Sequence, residues 1–334
     1  MNAPGAIYSL AAALIAGDRA ALGRAITLVE STLPEHQVQA QALLAEVLPR
    51  AGGSIHVGIT GVPGVGKSSL IERLGLMLLE RGHRVAVLAV DPSSQVSGGS
   101  ILGDKTRMAG LARHDGAFVR PSPAGGTLGG VAGRTRESIS LLEAAGYDIV
   151  LVETVGVGQS ETVVAGMVDC FLVLILPGAG DELQGVKRGI MELADVVAVT
   201  KADGDNLARA RLARAQLQAA LHLLSARYQG WTVPVLTCSA VDGSGLAELW
   251  DAVVEHRRHL VDAGLLDPLR RRQARQWFQT LVDEGLRAAL LAGPEIVGLM
   301  DEAAGEVEAG LISPQAGAAR VLAVVGAGRE PTVS

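Results

Sequence analysis

Gly61-Val-Pro-Gly-Val-Gly-Lys67-Ser68 follows the apolar run Ile55–Thr60 and opens a helical one, Ser69-Leu-Ile-Glu-Arg-Leu-Gly-Leu-Met-Leu-Leu79. The pattern GxxxxGKS between a strand and a helix is the sequence form of a phosphate-binding loop. Gly61, Gly64 and Gly66 let backbone N–H groups turn inward around phosphate oxygens, and the positive end of the following helix faces the same anion. Lys67 is placed to reach the β- and γ-phosphates, and the Ser68 hydroxyl to bind Mg²⁺. A chance glycine-rich turn with a surface lysine does not explain the flanking strand and helix.

Outward from this loop, short apolar runs alternate with helical segments: Ile55–Thr60, Val85–Val90, Ile149–Val152, Phe171–Leu176, Val196–Val199 and Val233–Thr237. That alternation predicts an α/β fold, a P-loop NTPase with a mostly parallel sheet flanked by helices. Residues 1–50 read as an N-terminal helical extension and 51–265 as the P-loop domain. Beyond Gly245 strand signals stop, and 266–334 reads as helices broken by Gly293-Pro294, Gly310 and Ser313-Pro314.

Composition narrows the function. The 334 residues carry a formal charge of −6, which argues against a surface dedicated to nucleic-acid phosphates. The strongest apolar run, Cys170–Leu176, is far shorter than the ~20 residues of a membrane-spanning helix, and no basic residue precedes the apolar stretch Ala6–Ala16 as a secretory signal requires. A soluble, cytoplasmic protein with no membrane partner is expected. Cys170 and Cys238 lie in or beside strand-like runs and read as buried thiols.

The carboxyl ends of the strands supply the remaining candidates. Asp91, in Val90-Asp-Pro-Ser-Ser94, points toward the γ-phosphate end as holder of a metal-bound or attacking water; alone, it reads as a turn-initiating Asp before proline. Asp104, in Gly103-Asp-Lys-Thr-Arg-Met108 after a glycine-rich segment, suits a switch that senses Mg²⁺, with a helix N-cap as its competing role. Glu153 closes the strand of Asp148–Thr154 as a Walker-B acid, where it either reaches Mg²⁺ through water or polarises the attacking water, and Gly156 allows its N–H to approach the γ-phosphate. Gln159 and Glu161 read either as switch residues or as an exposed helix start. In Thr200-Lys201-Ala-Asp203, Asp203 accepts from guanine N1–H and N2–H₂, and Lys201 lays its stem along the purine. Backbone N–H groups at Ser239-Ala240 face the guanine oxygen. Together these predict a GTPase.

The runs Gly61–Ser68, Val90–Ser94, Gly103–Met108, Arg120-Pro-Ser122 with Gly126–Gly130, and Val152–Glu161 resemble the MeaB-like GTPases, also known as ArgK or lysine/arginine/ornithine transport ATPases. The likeness runs from about residue 1 to about 325. It implies a Mg²⁺-dependent GTPase, binding GTP and GDP, that acts as a chaperone of an adenosylcobalamin-dependent methylmalonyl-CoA mutase or related acyl-CoA mutase, gating cofactor loading and protecting the mutase. It also implies a homodimer formed through 266–334, and a third mobile loop, Pro177–Gln184 through Lys187, whose lysine supplies a cation to the transition state or is simply a solvated helix charge. The nucleotide contacts it implies are Gly61, Gly64, Val65, Gly66, Lys67, Ser68, Ser69, Gly156, Thr200, Lys201, Asp203, Ser239 and Ala240. The catalytic set is Lys67, Asp91, Glu153 and Lys187, and the metal set is Ser68, Asp91, Asp104 and Glu153. Thr200 departs from the family's usual Asn, which tethers the base-reading loop to the P-loop. Two other functions compete: an ATPase or kinase of a transport system, and a nickel metallochaperone. The second would need clustered His and Cys, whereas His256 and His259 read as an exposed helix face.

Overall fold

A computed structural model describes residues 3–90, 108–121, 128–154, 160–178, 188–222, 227–291 and 293–327. Asp91, Asp104, Gly156, Gln159 and Lys187 lie outside the described residues. The chain divides into two compact units, Met1–Arg271 and Arg272–Ser334.

The first unit is built on a seven-stranded sheet in the order β3-β2-β4-β1-β5-β6-β7, every pair parallel. In chain order the strands are β1 Ile55–Gly61, β2 Val85–Val90, β3 Ala117–Arg120, β4 Ile149–Thr154, β5 Cys170–Ile175, β6 Val196–Val199 and β7 Val235–Thr237. Such sheets must be covered on both faces, so their strands read as continuous apolar runs. β4 and β5 are accordingly buried at every position.

Side-chain alternation divides the core in two. Val150, Val152, Phe171, Val173 and Val197 face the N-terminal helices Ala3–Ile15, Arg19–Glu30 and Pro34–Val47, together with Leu128–Ala144. Val57, Ile59, Leu151, Leu172 and Leu174 face the helices Lys67–Glu80 and Leu246–Asp262. Residues 3–50 thus form part of one covering layer: Leu14, Leu22, Ile26 and Leu43 are all but fully buried. Asp18 starts the second of these helices by accepting from the N–H groups of Ala20 and Ala21 at 2.7 and 2.9 Å.

β3 was not among the expected strands. It is a four-residue edge strand, and only its first two positions are buried. The helix Leu246–Asp262 corrects a second expectation: His256 is fully buried rather than on a solvated face. Its buried residues are Leu246, Leu249, Trp250, Val253, His256 and Leu260, which is one helical face.

In the second unit the helix Leu266–Leu291, which begins in the first, is followed by Pro294–Glu308 and Pro314–Ala327. Proline stands in the first turn of each of the last two, where its missing N–H costs nothing. Among the described residues, no helix is long and apolar enough to cross a membrane.

Candidate functional site

The phosphate-binding run sits at the carboxyl end of the central strand β1, where the loop enters the helix Lys67–Glu80. Val65 is fully buried and anchors the loop, while Pro63 and Gly64 are exposed. Gly64 and Gly66 take positive φ of 80° and 99°, which glycine adopts without cost. A Cβ at either would meet nothing within 4 Å, so the loop surrounds open space. Gly66 stands at the N-cap without a side-chain cap, leaving the first N–H groups of the helix to face that space. The chemistry of such a cradle is anion binding.

Lys67 folds back over the loop. Its ammonium donates to Gly61 O at 2.7 Å and to Val62 O at 3.3 Å, and the side chain is 8% exposed. Burial pulls its pKa below the ordinary lysine value, while the carboxylates of Glu153 and Glu161 pull it back. A cation held among carbonyls and carboxylates at the mouth of a backbone cradle is suited to a phosphate.

Glu153 and Ser68 meet across the sheet end. The Ser68 hydroxyl donates to Glu153 Oε1 at 2.9 Å, and Glu153 is buried. One hydroxyl and one carboxylate converging beside the cradle form a hard-oxygen donor set of the kind Mg²⁺ takes, so the residues present fit that ion. Glu161 is the residue that the sequence placed ambiguously. It is 3% exposed in the short helix Ser160–Ala165 and lies close enough to act on Lys67, so it is not an exposed helix start. Gly58 makes this packing feasible, because a Cβ there would lie 2.8 Å from Val164 of the same helix. The i, i+3, i+4 spacing of Glu161, Val164 and Ala165 was the available signal for its burial.

The second loop joins the first by a direct bond. Thr200, at the end of β6, is buried, and its hydroxyl donates to Val65 O of the P-loop at 2.8 Å. A second carbonyl, Ile175 O, stands at 3.3 Å, and one proton serves the nearer acceptor better. The threonine therefore makes the connection to the P-loop expected of an asparagine at this place. Lys201 follows with φ of 54°, an uncommon conformation for a residue with a side chain, and exposes its stem. Ala202 N donates to Cys238 O at 3.1 Å, tying this loop to the one after β7. There the buried Ser239 hydroxyl donates to Asp203 Oδ2 and accepts from Val241 N at 3.1 Å. One carboxylate edge of Asp203 is thus fixed by Ser239. A planar acceptor pair oriented in this way suits the adjacent donors N1–H and N2–H₂ of guanine.

Known proteins agree with this reading. The family described as "Methylmalonyl Co-A mutase-associated GTPase MeaB" matches residues 22–295. A probable GTPase of Mycobacterium tuberculosis is 56% identical over 318 residues, covering 95% of both chains. The mouse protein named methylmalonic aciduria type A homolog, mitochondrial, is 48% identical over 90% of this chain and 75% of its own length. A crystal structure described as LAO/AO transport system kinase superposes with a TM-score of 0.78 at 38% identity, over 96% of this chain and 98% of that one.

Proposed function

Because the chain belongs to the MeaB family of GTPases, we propose that its GTP hydrolysis serves an adenosylcobalamin-dependent methylmalonyl-CoA mutase or a related acyl-CoA mutase as a chaperone, gating cofactor loading and protecting the mutase. The supporting observation is the bonded pair of loops, Thr200 to Val65, which couples a guanine-reading element to a phosphate cradle. The family description and the mouse relative's name supply the partner class.

In this reading the backbone of Gly61, Gly64, Val65 and Gly66, with Lys67, Ser68 and Ser69, binds the phosphates of GTP or GDP. Thr200, Lys201, Asp203, Ser239 and Ala240 hold the base. Ser68 and Glu153 hold Mg²⁺, joined by Asp91 and Asp104. When bound, that ion neutralises charge developing between the β- and γ-phosphates. Lys67 balances charge on the transferred group, Glu153 orients the water through its carboxylate, and Gly156 and Lys187 complete the γ-phosphate end. The protein works in the cytoplasm. The transport-kinase name of the superposed structure favours a second reading, an ATPase or kinase of a lysine/arginine/ornithine transport system. Asp203 and Ser239 favour guanine instead.

The test is GTP turnover of the purified chain with and without the cobalamin-dependent mutase of its own organism. The expected result is slow turnover alone and at least about tenfold acceleration by the mutase, about 1.4 kcal/mol off the barrier. Fast hydrolysis indifferent to the mutase overturns the regulatory role.

The arm 266–334 is proposed to make the homodimer. On the helix Leu266–Leu291, Phe278, Leu281, Val282 and Leu286 are all exposed at spacings that place them on one face. An apolar stripe of this kind on a surface helix marks an interaction face. Light scattering is expected to give a dimer for the native chain and a monomer for Phe278→Glu/Leu281→Glu. A double variant that stays dimeric rejects the arm.

A further inference from the structure

At the amino-terminal end of the parallel strands, opposite the phosphate cradle, three potential metal ligands meet away from solvent. Cys170 begins β5, Asp195 immediately precedes β6, and His256 lies on the inner face of the helix Leu246–Asp262. The pairing of Leu172 with Val196 brings the starts of the two strands side by side, and Cys170 faces the same core as that helix. One ligand atom from each residue lies within 4.8 Å of the others. Cys170 and Asp195 are 1% exposed and His256 is fully buried.

The imidazole is the feature that packing alone leaves unexplained. Neither Nδ1 nor Nε2 of His256 has a hydrogen-bond partner among the described residues. Trp231 and Tyr228 cover the ring, with centroids at 4.9 and 5.6 Å, so water is excluded from those sides. A buried polar atom without a partner typically costs about 1–3 kcal/mol. His256 Nε2 stands 3.6 Å from Asp195 Oδ1, beyond hydrogen-bond length. That separation is close to the edge of a zinc tetrahedron, about 3.3–3.8 Å for bonds of about 2.0–2.3 Å.

We propose that Cys170, Asp195 and His256 form a buried zinc site that ties the helix Leu246–Asp262 to the starts of β5 and β6. A thiolate, an imidazole and a carboxylate are a donor set of the borderline-soft kind that zinc takes, unlike the all-oxygen set at Ser68 and Glu153. The three ligand atoms, all within 4.8 Å of one another, need only a small inward adjustment to reach tetrahedral edge lengths.

The surroundings set the charge balance. Asp195 Oδ2 already accepts from Phe171 N at 2.9 Å, and Arg227 Nη1 donates to both carboxylate oxygens, at 3.2 Å to Oδ2 and 3.4 Å to Oδ1, so Oδ1 faces Arg227 as well as His256. Burial pushes the Cys170 thiol well up and Asp195 up to about 7 despite Arg227, and burial with Arg227 pushes His256 down to about 4. The thiol and the imidazole are thus neutral at pH 7, and Asp195 is only partly ionised. Zinc binding displaces the proton of Cys170 and whatever proton Asp195 carries, and the dication is balanced by one thiolate and one carboxylate. Arg227 keeps its bond to the other carboxylate oxygen. Because the site is closed, the metal enters as the chain folds.

The test uses the full chain expressed in medium supplemented with zinc or cobalt, then desalted with chelator. The expected result is about one tightly held metal per chain, with a near-ultraviolet thiolate-to-cobalt charge-transfer band. Cobalt at the Mg²⁺ position gives no such band, because that position holds no sulfur. Cys170→Ala is expected to lose the band and the retained metal while keeping GTP binding, which reports that the chain is folded. Cys238→Ala, which removes the other thiol, is expected to keep both. A wild-type chain without the band, or a band that survives Cys170→Ala, overturns the site.

Discussion

Lys67→Ala is expected to lose GTP affinity by at least about a hundredfold, whereas Glu153→Ala is expected to bind within about tenfold of the native chain and lose turnover by at least about a hundredfold. The two residues are neighbours with different tasks. The Lys67 ammonium is desolvated and held at the loop by Gly61 O and Val62 O, so a phosphate meets a cation already positioned. Hydrogen bonds to charged groups contribute about 1.5–3 kcal/mol each, and loss of about 2.7 kcal/mol is a hundredfold in Kd. Glu153 accepts from the Ser68 hydroxyl at the end of the P-loop. Its removal leaves the backbone donors and Lys67 in place, while the group that orders metal and water is gone. Titration with a fluorescent guanine nucleotide reads the first quantity and single-turnover hydrolysis the second. A Glu153→Ala chain that hydrolyses GTP at the native rate removes it from the Walker-B role, and native affinity in Lys67→Ala removes the lysine from phosphate binding.

The sheet was legible in the sequence because a parallel sheet buried on both faces needs unbroken apolar runs, and β1, β2 and β4 to β7 supply them. β3 was not, because Ala117-Phe-Val-Arg120 is too short for a period and ends in an arginine whose guanidinium bonds the Glu30 carboxylate. Only tertiary pairing with β2 makes it a strand. The candidate site was legible where residue type and strand end coincide, as at Lys67, Glu153 and Asp203. It failed where a charged residue stands in a buried register. His256 lies among Glu255, Arg257 and Arg258, which suggests a wet face, yet its spacing from Val253 and Leu260 places it inside. Glu161 repeats this pattern with Val164 and Ala165. In both cases helical register carried the information and local polarity concealed it. That Thr200 reaches Val65 depends on the separation of two strand ends, which residue type does not encode.

Asp203→Asn is expected to move the preference of the site from GTP to XTP. An ionised carboxylate only accepts, so it complements guanine N1–H and N2–H₂ and offers nothing to a carbonyl. Xanthine carries a carbonyl oxygen where guanine carries the amino group. The asparagine amide accepts from N1–H and donates to that carbonyl, but sets a donor against guanine's own donor. The loop itself survives the change, because the Ser239 hydroxyl that donates to Asp203 Oδ2 either donates to an amide oxygen or accepts from an amide nitrogen equally well. Ala202 N to Cys238 O and Thr200 to Val65 O are untouched, so the base contact changes without collapse of the cradle. Mismatching a buried hydrogen-bond partner costs about 1–3 kcal/mol, more when a charge is involved, so GTP affinity is expected to fall at least about tenfold. In competition against a fluorescent guanine nucleotide, the native chain is expected to ignore ATP and the variant to favour XTP. Equal binding of ATP and GTP by the native chain, or unchanged GTP affinity in the variant, shows that Thr200–Asp203 does not read the base and restores the transport-ATPase reading.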